Sequence, residues 1–353
     1  MNGNSYKLKK SLSAGIMWKE NFKKLMFSTD PEIKDIEKAF ELKYSHIPTS
    51  LFKYRPFDSK NHSLNILKYD VLHLSDPTKF NDPFDCSLSV SVEKLGNTFF
   101  IKDMDKIIKE SDSKSKISKE EKEKLKISQN FIYDHSKLLA EKYPIKKDTG
   151  DYFKSDEIAE VMTKIINKEL SEIYSFFPKV LKNTRVTCFS EDNESILMWS
   201  HYSDHHKGLC IEYNFKEIGN NDFRTRLLSP VFYEDEIFNA TKYIENFIKH
   251  VPRIKNKLNP SRATSKFNIF MYNYAALVKA KEWSYEKEWR HVIGYGIDIK
   301  FLQTPKPKSI YLGAKVLKEN KNEVLKIARK RNFNVYQMQM DESKFTLNPK
   351  KLL

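Results

Sequence analysis

Leu209-Cys210-Ile211-Glu212-Tyr213-Asn214-Phe215 alternates strictly: Leu209, Ile211, Tyr213 and Phe215 fall on one face of an extended chain, and Cys210, Glu212 and Asn214 on the other. A period of two predicts a strand with one face on a core. Gly208, immediately before it, stands where the left-handed residue that ends a helix is wanted, and residues 195–203 carry the pattern of that short helix.

Working outward, Arg185-Val186-Thr187-Cys188-Phe189-Ser190 and Leu51-Phe52-Lys53-Tyr54-Arg55 read as strands, as do residues 71–75 and 230–233. A long strand is expected over residues 283–295. The C-terminal part alternates a strand over 310–312, a helix over 316–331 and a strand over 334–340. On that helix Val316, Leu317, Val324, Leu325 and Ala328 are expected to face a core. Helical patterns also cover residues 33–42, 64–69 and 157–177. These elements predict an α+β fold: a mixed, largely antiparallel central sheet with surrounding helices. Residues 1–50 read as an N-terminal helical extension. Residues 51–353 read as a single α+β domain with a charged helical insertion at about 101–180.

Within residues 101–130, 16 of 30 positions are charged with both signs interleaved, and Ile107, Ile108, Leu125 and Ile127 are almost the sole apolar anchors. That composition predicts a solvated, mobile segment. No stretch is apolar enough for a membrane span or a secretory leader. The three cysteines, Cys86, Cys188 and Cys210, are too few and too spread for a disulfide framework. A cytoplasmic, membrane-free protein is expected. The 353-residue chain carries 62 Lys and Arg against 47 Asp and Glu, a net +15, so anionic partners are favoured. The surplus is local: residues 300–353 hold 13 Lys and Arg against 4 Asp and Glu. Basic residues at the end of the 316–331 helix also complement its dipole.

Three clusters can carry chemistry, and all sit at strand ends. The first is Lys53-Tyr54-Arg55 with the loop Phe80-Asn81-Asp82-Pro83-Phe84-Asp85. Asn81, Asp82 or Asp85 either cap that loop or orient a ligand or a catalytic cation. The second is Ser190 with Trp199, His201, Tyr202, His206 and Lys207. Trp199 and Tyr202, three apart, can stack a base or a nicotinamide ring, with His201 or His206 donating hydrogen bonds. His201 and His205 have the four-residue spacing of helical metal ligands but lack the Glu between them that a metalloprotease needs, and no metal is expected. The third is Glu286-Lys287-Glu288-Trp289-Arg290. Read as one strand, it places Glu286, Glu288 and Arg290 on a common face. Two such carboxylates repel unless a cation lies between them, and Arg290 is the expected cation. The pair is either a structural ladder or a site that holds a ribose hydroxyl and stabilises an oxocarbenium-like transition state.

Together the motifs KYR (53–55), FNDPFD (80–85), CFS (188–190), MWSHY (198–202), HKG (206–208), YEKEWR (285–290) and IYLG (310–313) resemble a widespread bacterial domain-of-unknown-function family over roughly residues 49–340. A fainter likeness is to ADP-ribosyltransferases of the arginine-serine-glutamate type, matched in order by Arg55, Ser190 and Glu286-x-Glu288. That likeness implies an ADP-ribosyltransferase-like sheet and NAD as the nucleotide used. It further implies that Arg55 contacts the NAD phosphates or ribose and that Ser190 buttresses the site. Glu288 would stabilise charge at the nicotinamide ribose, and Glu286 would activate the acceptor. Ser190 departs from the class by being followed by Glu191 rather than Thr-Ser.

The expected function is an NAD-using enzyme that modifies nucleic acid or protein, as a toxin or phage-defence effector. Two other classes stay open. One is a nuclease in which Asp82 or Asp85 with Glu286 and Glu288 binds Mg²⁺. The other is a non-enzymatic module that senses a nucleotide or nucleic acid.

Overall fold

The computed structural model describes residues 17–91, 94–95, 117–174, 184–250, 253–254, 257–258, 268, 270–294 and 299–353. The strands of its central sheet are, in chain order, β1 (Leu51–Arg55), β2 (Arg185–Ser190), β3 (Leu209–Tyr213), β4 (Leu228–Pro230), β5 (Glu288–Ile293), β6 (Ser309–Leu312), β7 (Asn334–Met340) and β8 (Leu347–Lys351). Across the sheet they lie in the order β8-β7-β6-β3-β1-β2-β5-β4. Strands β6 and β7 run parallel, because a helix, Lys318–Arg331, makes the crossover between them. The other neighbouring pairs are antiparallel. The fold is thus α+β with a mixed, mostly antiparallel sheet.

The alternation along β3 partitions its side chains as expected. Leu209, Ile211 and Tyr213 join Leu51, Phe189, Trp289, Ile310 and Val335 in one core, beneath the helices His62–Tyr69 and Lys318–Arg331. On the opposite face Phe52, Tyr54 and Cys210 pack with Met198 and Trp199 of the helix Ile196–Tyr202. A third cluster seats the N-terminal helices, residues 17–26 and Ile33–His46, through Phe22, Met26, Ala39 and Phe40.

Several local expectations are corrected. Residues 283–295 do not form one strand. Lys281–Glu286 is a 3-10 turn, Lys287 is left-handed (φ 47°), and extended chain starts at Glu288. Tyr295 lies outside the described residues. Strand β3 stops at Tyr213, and Phe215 opens a 3-10 turn while staying buried. The strand read over 230–233 is two, β4 and Phe232–Glu234. The last helix starts at Lys318, with Leu317 as its exposed N-cap, and β8 was not anticipated. Of the charged insertion, Ile107 and Ile108 lie outside the described residues. Leu125 is buried and Ile127 exposed at the end of the helix Lys119–Lys126. The helix read over 157–177 spans Ser155–Tyr174, and residues 175–177 lie outside the described residues.

Gly208 is needed for a different reason from the one read in sequence. The left-handed residues are Asp204, His205 and His206 (φ 44°, 52° and 70°). A Cβ at Gly208 would lie 2.3 Å from the Arg55 carbonyl and 2.6 Å from Ser203 Oγ. Close approach of two strands, not backbone handedness, demands the glycine.

Strand β1 is laddered to β3 over its whole length, from Leu51–Tyr213 to Arg55–Leu209. To β2 it is registered at a single pair, Phe52–Ser190. Beyond that pair Lys53 reaches across, its Nζ donating to the Cys188 carbonyl at 2.9 Å. A side chain thus satisfies an acceptor on the rim of this single-pair junction, and the sheet opens there.

Candidate active site

A cavity of about 1020 Å³ lies at this opening and is lined from both faces of the sheet. One wall is a cluster of ionised side chains. Lys279, from the strand Val278–Ala280, places Nζ 2.5 Å from Glu286 Oε2, 3.2 Å from Glu288 Oε2 and 3.8 Å from Asp85 Oδ2. Arg290 grips Glu288 through Nε and Nη2 (2.8 and 2.9 Å) and Asp85 through Nη1 and Nη2 (both 2.7 Å). Every one of these side chains is at most 4% exposed, so the charges act on one another with little screening.

Three carboxyls face two cations, and one carboxyl is in excess. Burial, followed by the charge of Glu288, pushes Glu286 up to about 7. Glu288 is driven the other way: burial opposes ionisation, but Arg290 and then Lys279 hold it well below the usual carboxylate range. The two groups therefore differ in protonation near neutrality. Tyr202 donates its hydroxyl to Glu286 Oε1 at 2.6 Å, and Ser190 Oγ donates to the Glu286 carbonyl at 2.6 Å.

The cation between the two glutamates is Lys279, not Arg290 as read from sequence. The left-handed Lys287 takes Glu286 off the strand and turns it toward Lys279, whereas Arg290 stays on β5 and bridges Glu288 to Asp85. Lys279 was missed, although a lone lysine in Ala275-Ala276-Leu277-Val278-Lys279-Ala280 is a visible signal. A cation inside an apolar run needs a buried partner.

Arg55, Ser190, Glu286, Glu288, Arg290, Tyr54, Asn81, Asp85, His201 and Tyr202 all line the cavity. Tyr54 donates to the Asp192 carbonyl at 2.7 Å, and Asn81 hydrogen-bonds Tyr202. The other residues read as ligand-binding lie elsewhere. Trp199 is fully buried, its indole N–H donating to the Asn193 carbonyl and Tyr54 packed edge-on against it, so it offers no stacking wall. His206 stacks on Trp199 and bonds Ser200. Asp82 accepts from the Phe84 N–H, which fixes the loop. Lys207 is exposed outside the cavity. His201 and His205 do not share a helix face, because the helix ends at Tyr202 and His205 sits in the left-handed turn. Lys53, named in sequence as part of the first cluster but given no role, also lines the cavity, as does Thr187, which was not singled out.

Residues 198–291 match the model of a family described as a protein of unknown function (DUF2971). This segment, which carries a domain-of-unknown-function signature, holds Tyr202, Lys279, Glu286, Glu288 and Arg290, while Arg55, Asp85 and Ser190 reach the cavity from outside it. No curated protein and no solved structure matches the chain significantly.

Proposed function

We propose that the cavity is the active site of an ADP-ribosyltransferase-like enzyme that cleaves the nicotinamide glycosidic bond of NAD and passes the ADP-ribosyl group to a nucleic acid or protein. The observation that carries this reading is the pair of carboxyls whose proton affinities are driven apart at one cavity wall. Glycosidic cleavage through an oxocarbenium-like state uses one fixed anion and one group able to exchange a proton near neutral pH. Glu288 supplies the first. Glu286 supplies the second, taking the proton of the acceptor nucleophile, while Ser190 holds its backbone and Tyr202 its carboxyl. Arg55 offers a cation to the NAD phosphates. The cytoplasm, with its reducing conditions, suits the three free thiols, and a toxin or phage-defence role belongs to the same proposal.

The test is incubation of purified protein with labelled NAD, bacterial lysate, RNA and DNA, following nicotinamide release and label transfer. Wild type should turn over, and Glu286→Gln should lose roughly 10²- to 10⁴-fold in rate, the usual weight of a proton-transfer group. Folded wild type that releases no nicotinamide would overturn the reading.

The double grip of Lys279 and Arg290 on Glu288 also fits a sensing module that binds a nucleotide without cleaving it. In that case Glu288→Gln keeps ligand affinity and there is no turnover to lose. The nuclease reading is disfavoured by the same grip, since an ammonium and a guanidinium occupy the positions between the carboxylates that Mg²⁺ would need.

A further inference from the structure

On the face of the sheet opposite the Glu286–Lys279 cluster, the opening between β1 and β2 has a second, cationic wall. Extending the Phe52–Ser190 register sets Lys53 across from Phe189 and Arg55 across from Thr187. Lys53 Nζ indeed lies 5.8 Å from the Phe189 ring centroid, and all four residues line the cavity.

Two polar groups of this wall, on Arg55 and Thr187, lack a hydrogen-bond partner. Among the described residues Lys53 has no ion pair, and its hydrogen bond goes to the Cys188 carbonyl. Glu288, the carboxylate whose charge reaches Lys53, is already held by Lys279 and Arg290, and Asp58 acts on Arg55. Arg55 Nε has no hydrogen-bond partner, nor has the hydroxyl of Thr187, a residue only 2% exposed. An ammonium placed beside a guanidinium and without a carboxylate in direct contact sheds its proton readily, which is how a lysine becomes a nucleophile. Burial, with Arg55 and Arg290 adding to it and Cys188 and Glu288 opposing, lowers Lys53 to about 8.

We propose that Lys53 is a reactive amine that condenses with the aldehyde of an anionic ligand, Arg55 holding the anion and Thr187 donating a hydrogen bond to the carbonyl oxygen. The neutral Nζ adds to the aldehyde carbon, and a proton passes through solvent from nitrogen to the former carbonyl oxygen. The carbinolamine hydroxyl then takes a second proton from solvent and leaves as water while the nitrogen lone pair forms the C=N bond, and the nitrogen returns its remaining proton to solvent. Amine plus aldehyde thus gives imine plus water, with no oxidant or reductant. The inference rests on the proposed glycosidic cleavage only for a natural source of aldehyde: where water takes the ADP-ribosyl group in place of the acceptor, the ribose freed at its anomeric carbon opens to one.

Access separates Lys53 from Lys43, another lysine of low proton affinity. Burial lowers Lys43 to about 7, but Lys43 is 1% exposed, tied to the Thr225 and Arg226 carbonyls, and borders no part of the cavity.

The test uses pyridoxal 5′-phosphate as the anionic aldehyde on the full-length protein near neutral pH, followed by borohydride reduction and peptide mapping. Lys53 should be labelled about tenfold or more above exposed lysines, as its larger neutral fraction demands. Inorganic phosphate should compete, Arg55→Gln should slow the labelling, and Lys53→Arg should abolish the dominant site. Label spread over surface lysines, or concentrated on Lys43, would overturn the proposal. The wild-type map decides even where a variant does not fold. Labelled Lys53 without NAD cleavage sinks the transferase reading alone; NAD cleavage without selective labelling sinks this one alone.

Discussion

Glu286 is the residue whose environment most alters its chemistry. Its carboxyl is raised from 4.5 to about 7 by burial and the neighbouring Glu288. Between those values the unfolded chain is ionised while the folded chain keeps the proton. The stability this group contributes is therefore complete below pH 4.5 and is lost as pH rises through 7. Glu288, held low, behaves oppositely: its contribution is present above pH 4.5 and fades on acidification. Glu286→Gln should gain on wild type by on the order of 2–3 kcal/mol between pH 5 and 8, since each tenfold change in proton affinity is worth about 1.4 kcal/mol. Urea unfolding of both proteins at the two pH values measures this. A pH-independent difference would mean that Glu286 ionises as an exposed carboxylate does. Sequence identified both glutamates but not their asymmetry, which depends on Lys279 arriving from another strand.

The turn that follows the helix Ile196–Tyr202 is the element that closes one end of the cavity. Three successive left-handed residues, none of them glycine, cost roughly 1–2 kcal/mol each. They persist because the turn is tied down: the His206 N–H donates to the Trp199 carbonyl, and the Lys315 N–H donates to the His206 carbonyl. Gly313 permits that contact, since a Cβ there would lie 2.0 Å from the His206 oxygen. The clash is with backbone and cannot be relieved by a rotamer. Gly313→Ala should destabilise by roughly 2 kcal/mol or more, read as a shift of the urea midpoint. An unchanged midpoint would show that the turn yields freely. Sequence marked the helix and the strand on either side of this turn, the strand two residues too long at its end. It misjudged Gly208 because a tertiary contact and a left-handed cap leave the same residue type.

For the whole molecule, charge is distributed unevenly, with +9 of the net +15 in residues 300–353. Lys326, Arg329 and Lys330 stand exposed on the helix Lys318–Arg331. With a nucleic acid as acceptor, binding should weaken steeply with salt, each phosphate contact adding about 0.9 to the log–log slope on duplex DNA. Reversing those three charges together should lower the slope by up to about three in the same units. A slope near zero for RNA and DNA alike would leave protein as the acceptor class. Among the described residues no helix is long and apolar enough to cross a membrane.

Local pattern determined what local physics controls. The period-two alternation read over Leu209–Phe215 set the strand and its buried face together, though the strand itself ends at Tyr213, and the polar ends of β1, β2 and β5 marked residues that border the cavity. Tertiary structure decided the rest, because it depends on which distant groups meet. The single Phe52–Ser190 junction opens the sheet, Lys279 comes between Glu286 and Glu288, and Trp199 is withdrawn into the core. A strand's alternation is written in its own residues, whereas the proton affinity of a buried carboxyl is set by neighbours that only the fold supplies.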